Sequence, residues 1–142
     1  MSSLFLYINL YTCLVLVGLI WVIQVVHYPS FHFIERVNFQ DFIAFHGLRI
    51  SVVVIPLMLL ELASAIAVLF SLKGQFTSLL VLAIILLILI WGITFLVSSP
   101  IHGELLNGYN KQLVNKLVST NWWRTGLWTL RSLILIYILW KV

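Results

Sequence analysis

The chain has 142 residues, of which 63% are hydrophobic and only 8% charged, against roughly 25% charged in soluble domains. That composition reads as one integral membrane domain and excludes an ordinary water-soluble enzyme. The net charge of +4 rests on few groups with no basic cluster, which argues against nucleic acid as a partner.

The first apolar run covers about residues 4–27, enough for a spanning helix, which needs about 20 residues. Its polar positions are Asn9, Thr12 and Gln24, and it holds the one cysteine, Cys13, which reads as a small buried hydrophobe. Met1-Ser2-Ser3 carries no positive charge, and no small-residue cleavage site follows the run, so it is expected to persist as a helix. The connection from Tyr28 to Phe45 is partly amphipathic. Asn38 can cap a helix start there, with Asp41 three residues on as the capping-box partner. That helix is expected to lead into a second span at about 48–72, whose one acidic residue is Glu61.

A tight turn, Ser71-Leu72-Lys73-Gly74-Gln75, then makes spans two and three antiparallel neighbours. The third span, about 76–98, is uncharged, and Pro100 is expected to break it just before His102. In the next connection Asn110 can cap a short interfacial helix through Leu113, Leu117 and Val118. The fourth span is expected at about 121–141 and carries Arg124 and Arg131. The expected fold is therefore an all-α, integral membrane four-helix bundle with short interfacial helices in the first and third connections. The long connections hold Arg36, Arg49, Lys111, Lys116 and Arg124, against Lys73, Lys141 and the amino terminus opposite. By the positive-inside rule the long connections face the cytoplasm.

Each span carries a polar stripe. Gln24 and His27 are three apart, as are His46 and Arg49; Trp91, Thr94 and Ser98 follow 3-4 spacing; Asn121, Arg124, Trp128 and Arg131 follow 3-4-3 spacing. These stripes are expected to converge on one polar cavity. Glu61 lies about 18 Å below Arg49, and Arg131 about 15 Å below Asn121, so both fall near the bilayer middle. A lone charge there costs at least about 2.5 kcal/mol, and a structural Glu61–Arg131 ion pair between spans two and four removes that cost.

All four histidines fall on the same membrane face. His27, His46 and His102 each sit at a helix end, whereas His32, between Phe31 and Phe33, reads as interfacial. Imidazole is both a common metal ligand and a proton carrier. Three imidazoles from separate helices suit Zn, Cu or Fe, or the axial ligation of a haem; a metal-free catalytic or quinone-like pocket and a purely structural role stay open. Gln24, Arg49, Asn121 and Arg124 would orient an anionic or carbonyl group of a substrate. Trp122, Trp123, Tyr137 and Trp140 suit the headgroup belts, and Trp21, Trp91 and Trp128 the core.

Trp21-Val22-Ile23-Gln24-Val25-Val26-His27-Tyr28-Pro29-Ser30-Phe31, Phe45-His46-Gly47-Leu48-Arg49-Ile50 and Pro56-Leu57-Met58-Leu59-Leu60-Glu61 resemble a group of small bacterial four-helix integral membrane proteins of unassigned activity. Pro100-Ile101-His102-Gly103-Glu104-Leu105, Asn121-Trp122-Trp123-Arg124-Thr125, Trp128 and Arg131 extend that resemblance over nearly the whole chain. The Pro-x-His pattern and Asn121-Trp122-Trp123-Arg124 are also similar, more distantly, to the anthrone-oxygenase-like membrane proteins. The Tyr28-Pro29-Ser30-Phe31 ending, Arg49-Ile50 and Pro56-Leu57-Met58 resemble the haem-binding membrane protoporphyrinogen-oxidase-like proteins. These likenesses imply redox chemistry on a lipophilic substrate, metal- or haem-assisted, in a bacterial inner (cytoplasmic) membrane. A non-catalytic accessory subunit of a larger membrane complex is the rival expectation, and a homo-oligomer is compatible with either.

Overall fold

The computed structural model describes residues 2–72, 74 and 76–142. Met1, Lys73 and Gln75 lie outside the described residues, and with them the middle of the expected turn and two charges of the orientation count, Lys73 and the amino terminus. The helices are α1 (Ser2–Val22), α2 (Tyr28–Ser30), α3 (Phe39–Ser71), α4 (Thr77–Ile93), α5 (Ser99–Leu105) and α6 (Lys111–Lys141). The described residues form an all-α bundle. Three helical rods, Leu4–Phe33, Phe39–Ser71 and Thr77–Leu105, are long and apolar enough to cross a membrane, which makes this an integral membrane protein. At 1.5 Å per residue each rod is about 45 Å long, longer than a hydrocarbon core of about 30 Å.

The rods outrun the expected spans because hydropathy registers only the lipid crossing, whereas the helix continues through the amphipathic flank. Short helical segments do occupy the first and third connections, but as extensions of the rods. A π turn (Ile23–His27), α2 and a 3-10 turn (Phe31–Phe33) extend α1, and α5 extends α4. The helix expected from Asn110 is likewise the first part of α6, not a separate piece.

Pro100 does not break the third span. The π turn Thr94–Ser98 precedes it, and the Ser99 N–H bonds the Thr94 carbonyl five residues back. The same device recurs before Pro29, where the Tyr28 N–H bonds the Ile23 carbonyl. A proline lacks an N–H and crowds the carbonyl four residues back; widening the preceding turn re-satisfies the backbone and lets the helix go on. Each π turn also adds one residue to a turn, rotating everything beyond it by about 100°.

The two predicted caps part company. Asn110 accepts from the Gln112 and Leu113 N–H groups at 2.9 and 3.2 Å, behind Gly108 at φ 127°, which only glycine adopts without strain. Asn38 stands at the start of α3 but makes no side-chain cap; its amide donates to Glu35 at 3.2 Å, so the Asp41 capping box does not form.

Helix α1 packs along α3 and α6, and α6 along α4, whereas the α3–α4 seam is the most sparsely filled. Pro56 lies within α3 and removes a backbone bond there. Leu6, Leu16, Ile20, Leu87, Ile90, Leu117 and Leu135 are among the residues that fill the core. Helix α6 carries five basic residues and lacks the apolar character of the other three rods. Arg124 and Arg131 nonetheless face the bundle interior and are buried.

Candidate functional site: an imidazole cluster beside a cavity

The three helix-end histidines meet. His27, at the end of its π turn, places Nε2 2.7 Å from Nδ1 of His46 on α3. The His46 and His102 rings stand edge to face with centroids 5.4 Å apart. Buried Phe31 fills the space between them, 5.3 Å from His27 and 5.4 Å from His46. Tyr28, which sequence reasoning passed over, is buried and brings its hydroxyl to 3.4 Å from His102 Nε2. Its signal was available: a tyrosine beside His27 and directly before a proline.

The rings do not fit a metal ion as placed. Zinc–imidazole bonds of 2.0–2.1 Å put two nitrogens of a tetrahedral site about 3.3 Å apart, whereas 2.7 Å is the separation of two nitrogens sharing a proton. Among the described residues no group of three or more His, Cys, Asp or Glu side chains is arranged to hold a metal ion. His102 turns Nε2 to the Tyr28 hydroxyl, outside the His27–His46 contact. Added zinc or copper is therefore expected to leave the unfolding midpoint in detergent unchanged. A rise abolished by His46→Gln would show the rings rearranging around a metal. His27→Phe strips His46 Nδ1 of its partner and is expected to cost about 1–3 kcal/mol of stability; an unaltered thermal midpoint would show that this bond contributes nothing.

The four residues expected to orient a substrate separate into three roles. Arg124 lines a cavity of about 500 Å³ between α3 and the α4–α5 rod, together with Tyr28, Ser98, His102 and Trp91. Asn121 and Gln24 stand behind it. Arg124 Nη1 donates to Asn121 Oδ1 at 3.1 Å and approaches Ser98 Oγ at 3.5 Å. Asn121 donates to Gln24 Oε1 at 2.8 Å, and Gln24 donates to the Val118 carbonyl at 3.1 Å. Arg49 is not in this set: it is exposed, its guanidinium lies 5.3 Å from the Phe45 ring, and it lines a second groove with His27 and His46. The three-residue spacing from His46 leaves Arg49 about 60° round the helix, enough to carry it to the rim.

The cavity is otherwise apolar, walled by Val54, Ile55, Met58 and Leu59 on one side and Phe95 on the other. Ile55, Leu59 and Phe95 are 54%, 53% and 58% exposed on the outer face of the bundle, so its mouth opens toward lipid. Three residues that line it, Trp91, His102 and Arg124, each carry a buried nitrogen without a partner: Nε1, Nδ1 and Nε respectively. Buried polar groups almost always have partners, so three such residues around one cavity single it out.

The remaining stripe members form a separate cluster deeper in the bundle. Arg131 pairs with Glu61 as the sequence predicts. It also donates to Asn9 Oδ1 at 2.9 Å and to the Ala83 carbonyl at 3.1 Å. Asn9 donates in turn to Ser64 Oγ and to the Glu61 carbonyl, and Trp128 Nε1 donates to Glu61 Oε2 at 3.2 Å. The stripes thus build two polar centres rather than one, joined through Trp128, over whose ring Arg124 sits at 5.3 Å. His32 lies apart and bonds the Tyr109 hydroxyl at 2.9 Å. No protein-family model, no curated protein and no solved structure matches this chain.

Proposed function

We propose that this integral membrane protein takes a lipophilic substrate sideways from the bilayer into the α3–α4 cavity and exchanges a proton with its oxygen-bearing group there. In this reading α6 is a fourth span, carried through lipid by turning Arg124 and Arg131 inward. The membrane is a bacterial cytoplasmic membrane, with the histidine face toward the cytoplasm. The observation that carries the proposal is the cavity itself: apolar walls, a mouth facing lipid, and the polar side chains of Arg124, His102 and Tyr28 on its lining. Ligand sites of this size are usually apolar with a few placed polar groups. The Tyr28–His102 pair supplies a proton carrier in contact with the cavity, and the His46–His27 pair adjoins it toward the second groove. Proton transfer to or from the oxygen of a carbonyl- or phenol-bearing lipophile is the step such a carrier performs; an oxidation or reduction of that group would take its electrons from a separate co-substrate. It accords with the resemblance to anthrone-oxygenase-like proteins.

Native mass spectrometry of protein released from mild detergent tests the proposal. Ser51 of α3 also lines the cavity; the wild type is expected to retain a small lipophile, and Ser51→Phe, which fills the cavity, to lose it. Identical spectra without any adduct would overturn the reading.

A further inference from the structure

The two buried arginines of α6 differ in one respect. Arg131 has no exposed surface and is fully engaged: a carboxylate, an amide oxygen and a backbone carbonyl take its donors. Arg124, seven residues earlier on the same face, is 6% exposed and meets only neutral groups, the oxygens of Asn121 and Ser98 and the nearby Tyr28 hydroxyl. Its Nε has no partner, and no carboxylate among the described residues lies within ion-pair distance. The acids on its side of the bundle, Glu35, Asp41 and Glu104, are all exposed at the surface. A guanidinium keeps its charge at any ordinary pH, and a buried charge is stable only when it is paired. The missing counter-charge has one place to stand, the cavity that Arg124 lines.

We propose that the cavity binds a single-chain amphiphile whose carboxylate pairs with Arg124, its chain lying along Val54, Ile55, Met58, Leu59 and Phe95. The proposal rests on the cavity reading above and names the class of ligand. One buried positive charge calls for one negative charge. A planar carboxylate matches the guanidinium fork, and about 500 Å³ accommodates one chain rather than two. The Tyr28 hydroxyl and the His102 ring, in contact at 3.4 Å, line the cavity with the guanidinium and add polar character at that end. Asn121 and Gln24 act as positioning residues that hold Arg124 toward the cavity.

The test uses purified full-length protein in mild detergent, with saturable quenching of tryptophan fluorescence by doxyl-stearate and by its methyl ester. The chains are identical and only the charge differs. The acid is expected to bind about tenfold or more tighter than the ester, with the preference lost in Arg124→Gln and largely kept in Arg124→Lys. Equal binding of acid and ester would overturn the carboxylate assignment while leaving the cavity reading standing. Saturable binding of neither would overturn both. Displacement of doxyl-stearate by lysophosphatidic acid at lower concentration than by stearate would reassign the site to phosphate headgroups. The acid–ester comparison on the wild type decides the matter even where Arg124→Gln fails to fold.

Discussion

Arg131→Met is expected to destabilise the bundle by about 3–5 kcal/mol, the cost of leaving one member of a buried ion pair alone. The substitution strands three groups at once. Glu61 loses its guanidinium, Asn9 Oδ1 loses its donor, and the Ala83 carbonyl loses the Nε–H. Helices α1, α3 and α4 all reach α6 through this one side chain, so the loss is expected to appear as a cooperative drop in unfolding midpoint. Arg131→Met combined with Glu61→Leu removes both charges and is expected to recover much of the loss, since apolar replacement of a whole buried pair is often near neutral. A double variant no more stable than Arg131→Met would show that the Asn9 and Ala83 bonds, not the ion pair, hold this layer.

Trp128→Ala is expected to cost a similar 3–5 kcal/mol, the usual range for deleting a large buried aromatic. Trp128 is 1% exposed and joins the two polar centres, donating to Glu61 while its ring lies under Arg124. Trp128→Phe separates these contributions. It keeps most of the volume and a ring for Arg124 but leaves Glu61 Oε2 without its donor, with an expected loss of about 1–3 kcal/mol. If the two variants were equally unstable, the hydrogen bond rather than the packing would dominate. The same comparison reports on the cavity: Trp128→Ala opens space behind Arg124 and is expected to weaken carboxylate binding more than Trp128→Phe does.

Much of the bundle was legible in the sequence because lipid leaves few solutions for a chain with long uncharged runs. The Glu61–Arg131 pair followed from depth alone: two charges of opposite sign at matched heights have little alternative to each other. The convergence of His27, His46 and His102 followed from their common position at helix ends. The division of labour did not. Gln24 and His27 read as one face at three-residue spacing, yet Gln24 meets α6 and His27 meets α3. The π turn between them adds a residue that spacing rules do not count, and nothing but the following Pro29 announces it. For the same reason Pro100 read as a break and instead lies inside a continuous rod. Arg49 read as a site residue because it stands three residues from His46. Only packing shows that one is enclosed and the other lies on the rim. Tyr28 and Asn9 were hidden by their neighbours, a histidine in one case and a run of apolar residues in the other.

The central claim is that the α3–α4 cavity holds a lipophile whose polar end meets Arg124 and His102. A structure of the protein in a lipid nanodisc, determined without added ligand, tests it most directly. The account predicts elongated non-protein density between Ile55 and Phe95, ending within about 3 Å of the Arg124 guanidinium. Density limited to water, or α3 and α4 closed together with Arg124 Nε bonded to a protein carbonyl, would contradict it.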